Sequence, residues 1–215
     1  MIGHPNLKAW WRLDGNSQDS SGNGLNGTDT SITYNGATFG KGAALTPSGY
    51  ISMGNVLGFE TNQPHSIGAW LTGSQNLDSN LIGKQLNSGN YAGFGLGTRL
   101  NSGYQVYIYA GGPAIILSIA PIDAVNPHHI MYTYNGSLAA SGVTVYVDGS
   151  PVAKTTWINN LSGSIINTGN FQINGRGGAN AMWTGAVDDV QVYNIVLPQS
   201  DIRRIMLGKH PLTRS

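Results

Sequence analysis

The chain has 215 residues, no cysteine, 31 glycines, a formal net charge of +1 and only 10% charged residues. That length suits one β-rich domain and is enough to bury a core without a staple. The missing cysteines exclude disulfides, thiol chemistry and Cys-based zinc sites; no basic stripe exceeds the Arg203-Arg204 pair, which argues against nucleic-acid binding and polybasic membrane targeting.

Residues 1–11 hold no basic segment followed by an apolar one, and no apolar run reaches the roughly 20 residues of a membrane span. No signal peptide and no membrane insertion are therefore expected, with release inside a virion as one route outward. From residue 7 onward, short runs of β-branched and aromatic residues alternate with Gly-containing turns. The turns recur every 8–12 residues or so, as in an antiparallel sandwich. Strands are expected at residues 7–13, 50–53, 66–71, 81–84, 92–98 and 105–109. They continue at 114–119, 130–134, 143–147, 152–156, 171–174 and 185–193. Turns fall at Asp14-Gly15, Asn26-Gly27, Asn35-Gly36, Asn135-Gly136 and Asp148-Gly149, where Asn, Asp and Gly tolerate positive φ. Val143, Val145 and Val147 alternate with polar partners. Val187 and Val190 to Val192 repeat the pattern with small register breaks. One helix is expected at residues 199–207, with Pro198 near its start and Ile202, Ile205 and Met206 as its apolar stripe.

The string Leu13-Asp14-Gly15-Asn16 through Asp19-Ser20-Ser21-Gly22-Asn23-Gly24-Leu25-Asn26-Gly27-Thr28 resembles the opening signature of the laminin-G-like jelly-roll family. Phe39-Gly40-Lys41-Gly42-Ala43-Ala44-Leu45 with Tyr50-Ile51, then Ser66-Ile67-Gly68-Ala69-Trp70, are similar to its next strands. His128-His129-Ile130, Thr133-Tyr134-Asn135-Gly136 and Val145-Tyr146-Val147-Asp148-Gly149 match its most recognisable hairpin. Gly185-Ala186-Val187-Asp188-Asp189-Val190-Gln191-Val192-Tyr193-Asn194 resembles its last strand. The pieces occur in family order over residues 7–207. The resemblance implies an all-β, two-sheet antiparallel jelly-roll sandwich, concanavalin A-like, with one short C-terminal helix. One domain is expected over residues 1–215, with its core at about 7–207. One departure is Pro127, where the family usually has Trp; Trp157 is the expected replacement for that aromatic packing.

Asp19 sits in a glycine-punctuated loop, and calcium takes several oxygen ligands in flexible geometry. The resemblance implies that this loop packs beside the Asp188 strand. Asp19, Asn23 and Asp188 are then the candidate ligands of a structural calcium. The competing reading is that Asp19 and Asn23 form Asx-turns and cap backbone groups.

Strand alternation sends Asp188 and Asp189 to opposite faces, so they are not expected to flank one scissile bond, as a glycosidase pair about 5–10 Å apart must. The single Glu, Glu60, falls in a loop. No enzyme activity is expected. His128 and His129 also alternate, which implies one packed and one surface histidine. Gly175-Arg176-Gly177-Gly178 reads as a loop.

A second candidate is a groove. Gly93, Gly95 and Gly97 share one strand face, leaving it open, and Tyr107 and Tyr109 share a face of the next strand. With Arg99 they make a floor and walls suited to a sugar. The alternative is that the glycines serve sheet curvature or close backbone packing. The resemblance supplies the substrate class, so the expected function is a carbohydrate-binding or adhesion module for surface glycans. It would be extracellular or on a virion surface, its partner a glycan or a larger assembly such as a capsid or tail. The other function weighed is a purely structural decoration protein with no glycan binding. The sequence leaves the oligomeric state open.

Overall fold

A computed structural model of the chain describes residues 4–75, 77–176, 179–180 and 183–208. In chain order the strands are β1 (Leu7–Trp11), β2 (Thr28–Thr30), β3 (Thr33–Ala37), β4 (Gly40–Leu45), β5 (Tyr50–Ser52) and β6 (His65–Gly73). They continue with β7 (Ser79–Gln85), β8 (Gly93–Arg99), β9 (Gly103–Tyr109), β10 (Ala114–Ser118), β11 (His128–Tyr134) and β12 (Val143–Val147). The last are β13 (Ser150–Pro151), β14 (Thr155–Asn159), β15 (Phe171–Ile173), β16 (Gly175–Arg176), β17 (Ala179–Asn180) and β18 (Gly185–Tyr193), followed by helix α1 (Gln199–Met206).

Two antiparallel sheets form a jelly-roll sandwich, as expected. The first has the order β13-β12-β11-β6-β18-β4-β3, with β1 also paired to β18; the second runs β14-β10-β9-β8-β7-β15-β5-β2. Alternation places the core between them. Ile67, Ala69, Leu71, Ile130, Tyr132, Val143 and Val145 point inward from the first sheet. Phe94, Leu96, Val106, Ile108, Ile115 and Leu117 meet them from the second. Trp11 stacks on Phe171 across this core, centroids 5.5 Å apart. The fully buried His65 lies between Phe59 and Phe94 and hydrogen-bonds Tyr132 Oη at 3.1 Å. Burial pushes its imidazole down to about 4.

Helix α1 lies on the outer face of the first sheet, where Ile202 and Ile205 join Leu7, Met131 and Tyr193 in a second apolar cluster. Gly68 makes room there, since a Cβ on it would stand 2.6 Å from that of Met131.

Three local expectations change. Asn35-Gly36 lies inside β3 rather than at a turn; the chain reverses at Thr38 and Phe39. The run expected at residues 152–156 is a crossover. It leaves β13 in the first sheet and enters β14 in the second, with Lys154 Nζ donating to Ala140 O at 2.7 Å and to Val143 O. Trp157 does not replace core packing near Pro127, because it stands on β14 in the other sheet with 47% of its surface exposed. His129 fills that region instead, edge-on to Trp70 at 5.6 Å.

Candidate functional site

Along β8 and β9 the register pairs Gly93 with Tyr109, Gly95 with Tyr107 and Gly97 with Gln105. The neighbours Phe94, Leu96, Val106 and Ile108 are in the core, so these pairs face outward. Arg99, Tyr107 and Tyr109 line one groove of ≈ 270 Å3 on that outer face, together with Asn80, Gln85 and Gln105. The three sequence-identified side chains are thus brought together.

The glycines follow the close-packing reading rather than the open-floor one. A Cβ on Gly93 would come within 2.0 Å of Lys84 O, and one on Gly97 within 2.1 Å of Ser79 O. A Cβ on Gly95 would meet Ile82 O and Tyr107 Oη, each at 2.4 Å. Gly93, Gly95 and Gly97 therefore permit close strand approach and let the Tyr107 phenol rest over the sheet. They do not form an open floor. Desolvation raises the Tyr107 phenol above its ordinary value, and nearby Arg176 partly opposes this.

The amides converge from separate strands. Asn80 Nδ2 donates to Gln85 Oε1 at 2.8 Å, and Gln105 Nε2 to Thr98 O at 3.2 Å. Asp78 stands exposed at the rim, its Oδ1 accepting the Leu100 N–H at 3.0 Å. Two arginines complete the walls, each stacked on an aromatic ring. Arg99 Cζ lies 4.5 Å from the Trp157 centroid, and Arg176 Cζ 5.1 Å from that of Tyr91. Trp157 Nε1 is anchored on Ser118 Oγ at 3.0 Å. Gly175-Arg176 is not a loop but strand β16, paired with β17.

The calcium constellation is not assembled. Asp19 Oδ1 accepts the N–H groups of Trp10 and Ser21, at 3.0 and 2.9 Å. Its Oδ2 accepts Ser21 Oγ–H and the Leu25 N–H, at 2.8 and 3.0 Å. A carboxylate offers about four lone-pair sites, and all are taken by donors. Asn23 turns Nδ2 inward to Leu7 O and Lys8 O, each at 3.1 Å. Asp188 lies apart, in clefts that neither Asp19 nor Asn23 lines. Among the described residues, no group of three or more His, Asp or Glu is placed to share a metal ion. As placed, the Asp19 carboxylate and the Asn23 amide serve the loop's own backbone, and Asp188 is not brought beside them.

Asp188 and Asp189 overturn the opposite-face expectation. The β18–β6 ladder steps from Asp188↔Trp70 to Gln191↔Gly68, and Asp189 takes φ 52°. This bulge turns two successive carboxyls to the same side. Both line a cleft of ≈ 310 Å3 with Trp10, Arg12, Asp14 and Phe39. Asp189 accepts Trp10 Nε1–H, and Gln191 Nε2–H at 3.1 Å. Asp188 Oδ2 accepts the Phe39 N–H at 2.9 Å, whereas its Oδ1 is buried without a partner. Burial, with lesser repulsion from Asp189 and Asp14, pushes Asp188 up to about 7; the Phe39 N–H opposes the rise. Asp189 is also raised by burial, against its two donors and Arg12. The histidine pair behaves as expected: His129 is buried, and the partly exposed His128 meets Asp148 Oδ2 through Nδ1 at 2.7 Å.

The fold recurs in solved structures. Domain 4 of AbnA, a GH43 extracellular arabinanase from Geobacillus stearothermophilus solved in complex with arabinotriose, superposes with TM-score 0.70 at 19% identity, over 92% of this chain and 96% of that one. The binding domain of Paraclostridial Mosquitocidal Protein 1 gives TM-score 0.74 at 17% identity; 94% of this chain matches 52% of that one. A mutant of Trypanosoma rangeli sialidase displaying trans-sialidase activity gives TM-score 0.67 at 19% identity, over 96% of this chain and 33% of that chain. The chain thus spans about half the length of the mosquitocidal domain and a third of the sialidase. A comparison with curated proteins gave no match. A family model described as the concanavalin A-like lectin/glucanases superfamily matches residues 45–203. With the two-sheet jelly roll and its family-ordered motifs, that match places the chain in the concanavalin A-like lectin/glucanase superfamily, as a laminin-G-type domain.

Proposed function

We propose that this chain is a non-enzymatic, extracellular carbohydrate-binding module that holds a saccharide against the outer face of the second sheet. The carrying observation is the convergence of Tyr107, Tyr109, Arg99 and three side-chain amides on one groove. The partly exposed Tyr109 ring offers a face to sugar C–H groups with the buried Tyr107 behind it, while amides and a guanidinium match hydroxyls. The fold it shares with an arabinanase domain solved with arabinotriose supports the same reading. Binding rather than turnover is supported by the acidic cleft. Asp188 and Asp189 are only 2% and 5% exposed, so the pair is packed into the sheet rather than presented to a scissile bond. Among the described residues no helix is long and apolar enough to cross a membrane.

Titration calorimetry with arabinotriose, backed by a glycan array, tests this. Saccharide binding that weakens at least ten-fold, about 1.4 kcal/mol, in both Tyr109→Ala and Gln105→Ala is the expected result. No hit on the array, or binding untouched by both substitutions, would remove the groove from the account.

A second reading, docking on a larger assembly such as a capsid or tail, is favoured by β14. All its residues are exposed, and its outer backbone edge pairs with no strand among the described residues. Such edges are templates for pairing with another chain. Stable particle assembly by a protein with no glycan hits would favour it.

A further inference from the structure

The groove carries an unbalanced charge that the carbohydrate reading leaves unused. Arg99 and Arg176 enter it from different strands, β8 and β16. Both are half-buried, and among the described residues neither guanidinium has a carboxylate partner or a hydrogen bond. Each guanidinium lies over a ring instead, Trp157 for Arg99 and Tyr91 for Arg176. A ring contact of this kind uses no N–H donor, so both guanidiniums keep donors that match a carboxylate or sulfate. Asp78 at the rim is the one acidic side chain in the lining, so the groove holds two cations against one anion. A neutral sugar would leave two partly desolvated guanidiniums with unused donors, which is costly in proportion to their burial.

Resting on the saccharide reading above, we infer that the groove selects an anionic saccharide, with Arg99 and Arg176 gripping its acidic group from two sides while Tyr109 contacts the ring. A carboxylate on a uronic acid and a sulfate ester share this chemistry: a full negative charge and a pair of oxygens spaced to accept two parallel N–H donors.

The test compares matched pairs by calorimetry on the intact chain. Trigalacturonate is set against its fully methyl-esterified form, and a sulfated galactan hexasaccharide free of uronic acid against its desulfated form. The acidic member of at least one pair should bind ten-fold or more tightly than its neutral partner, and raising salt should narrow the gap. The pair that shows the gap tells carboxylate from sulfate. In Arg99→Gln and Arg176→Gln, the acid-to-neutral ratio should fall toward one. Because the wild-type ratio needs no variant, a substitution that fails to fold does not spoil the test. Equal binding within both pairs, or a ratio that survives both substitutions, would overturn the inference while leaving the saccharide site in place. No binding by any of the four oligosaccharides, together with an empty glycan array, would overturn both.

Discussion

Asp188 on β18 stands opposite Trp70 on β6, and each buries a polar atom, Oδ1 and Nε1, with no hydrogen-bond partner. The carboxyl responds by holding its proton up to about pH 7. A carboxyl raised in the folded state above its ordinary value near 3.9 favours folding at low pH. That contribution is complete below about 4 and is lost as pH rises through 7. His65 and His129 act oppositely. Burial pushes both down to about 4, so they favour folding above about 6.5 and lose that contribution as pH falls. In wild type the two trends offset. Asp188→Asn should therefore show a Tm that climbs more steeply from pH 4 to 6.5 than wild type, and should gain on wild type up to pH 8. Parallel Tm curves over pH 4–8 would show that Asp188 titrates normally.

Asp19 closes the N-terminal loop through four donors from Trp10, Ser21 and Leu25. Removing a charged acceptor from such a set costs roughly 2–3 kcal/mol. Asp19→Ala should lower Tm by about 5–10 °C. Because the loop is held by donors rather than an ion, the drop should be the same in excess calcium and in chelator. A wild-type Tm that falls on chelation would restore an ion to this loop.

Gly95→Ala and Gly36→Ala offer a contrast within strands. The first would drive a Cβ to 2.4 Å from Ile82 O and Tyr107 Oη, whereas the second meets nothing within 4 Å. Gly95→Ala should cost about 1–3 kcal/mol by overpacking and should weaken saccharide binding by displacing Tyr107. Gly36→Ala should stay within about 0.5 kcal/mol of wild type. Denaturant midpoints for the two variants make the comparison.

Trp157 is half exposed, and its main partner is the Arg99 guanidinium. Trp157→Ala should cost about 1 kcal/mol or less in stability, the scale of an exposed cation–π contact. It should nevertheless weaken binding of an acidic oligosaccharide several-fold, because Arg99 loses the ring it lies over. Calorimetry alongside thermal unfolding separates the two effects.

Local pattern carried much of the fold. Val143 and Val145 are buried and Thr144 is not, as period-two alternation requires. The three-residue spacing of Val187 and Val190, both in the core, already encodes the bulge. Read as simple alternation, though, it sends Asp188 and Asp189 apart. Asn35-Gly36 has turn chemistry but lies in β3, because pairing with Lys41 and Gly42 outweighs local preference. The groove was half legible for a related reason. Arg99, Tyr107 and Tyr109 lie on neighbouring strands of one hairpin, whose alternation is local. Asn80 and Tyr91 come from β7 and the loop after it, where no alternation singles them out, and Arg176 comes from β16, which no short window contains. The Asp19 loop misled in another way. Its acidic, amide and glycine composition serves a metal loop and an Asx-turn equally, and only the direction of the N–H groups tells them apart.

Both the first strand and the final helix belong to the first sheet. β1 pairs with β18, and α1 packs its Ile202 and Ile205 against Leu7 and Tyr193. The groove opens on the opposite side of the sandwich. On the saccharide proposal, a support contacting the α1 side would lie behind the domain, and the groove would look away from it toward the surface that carries the ligand.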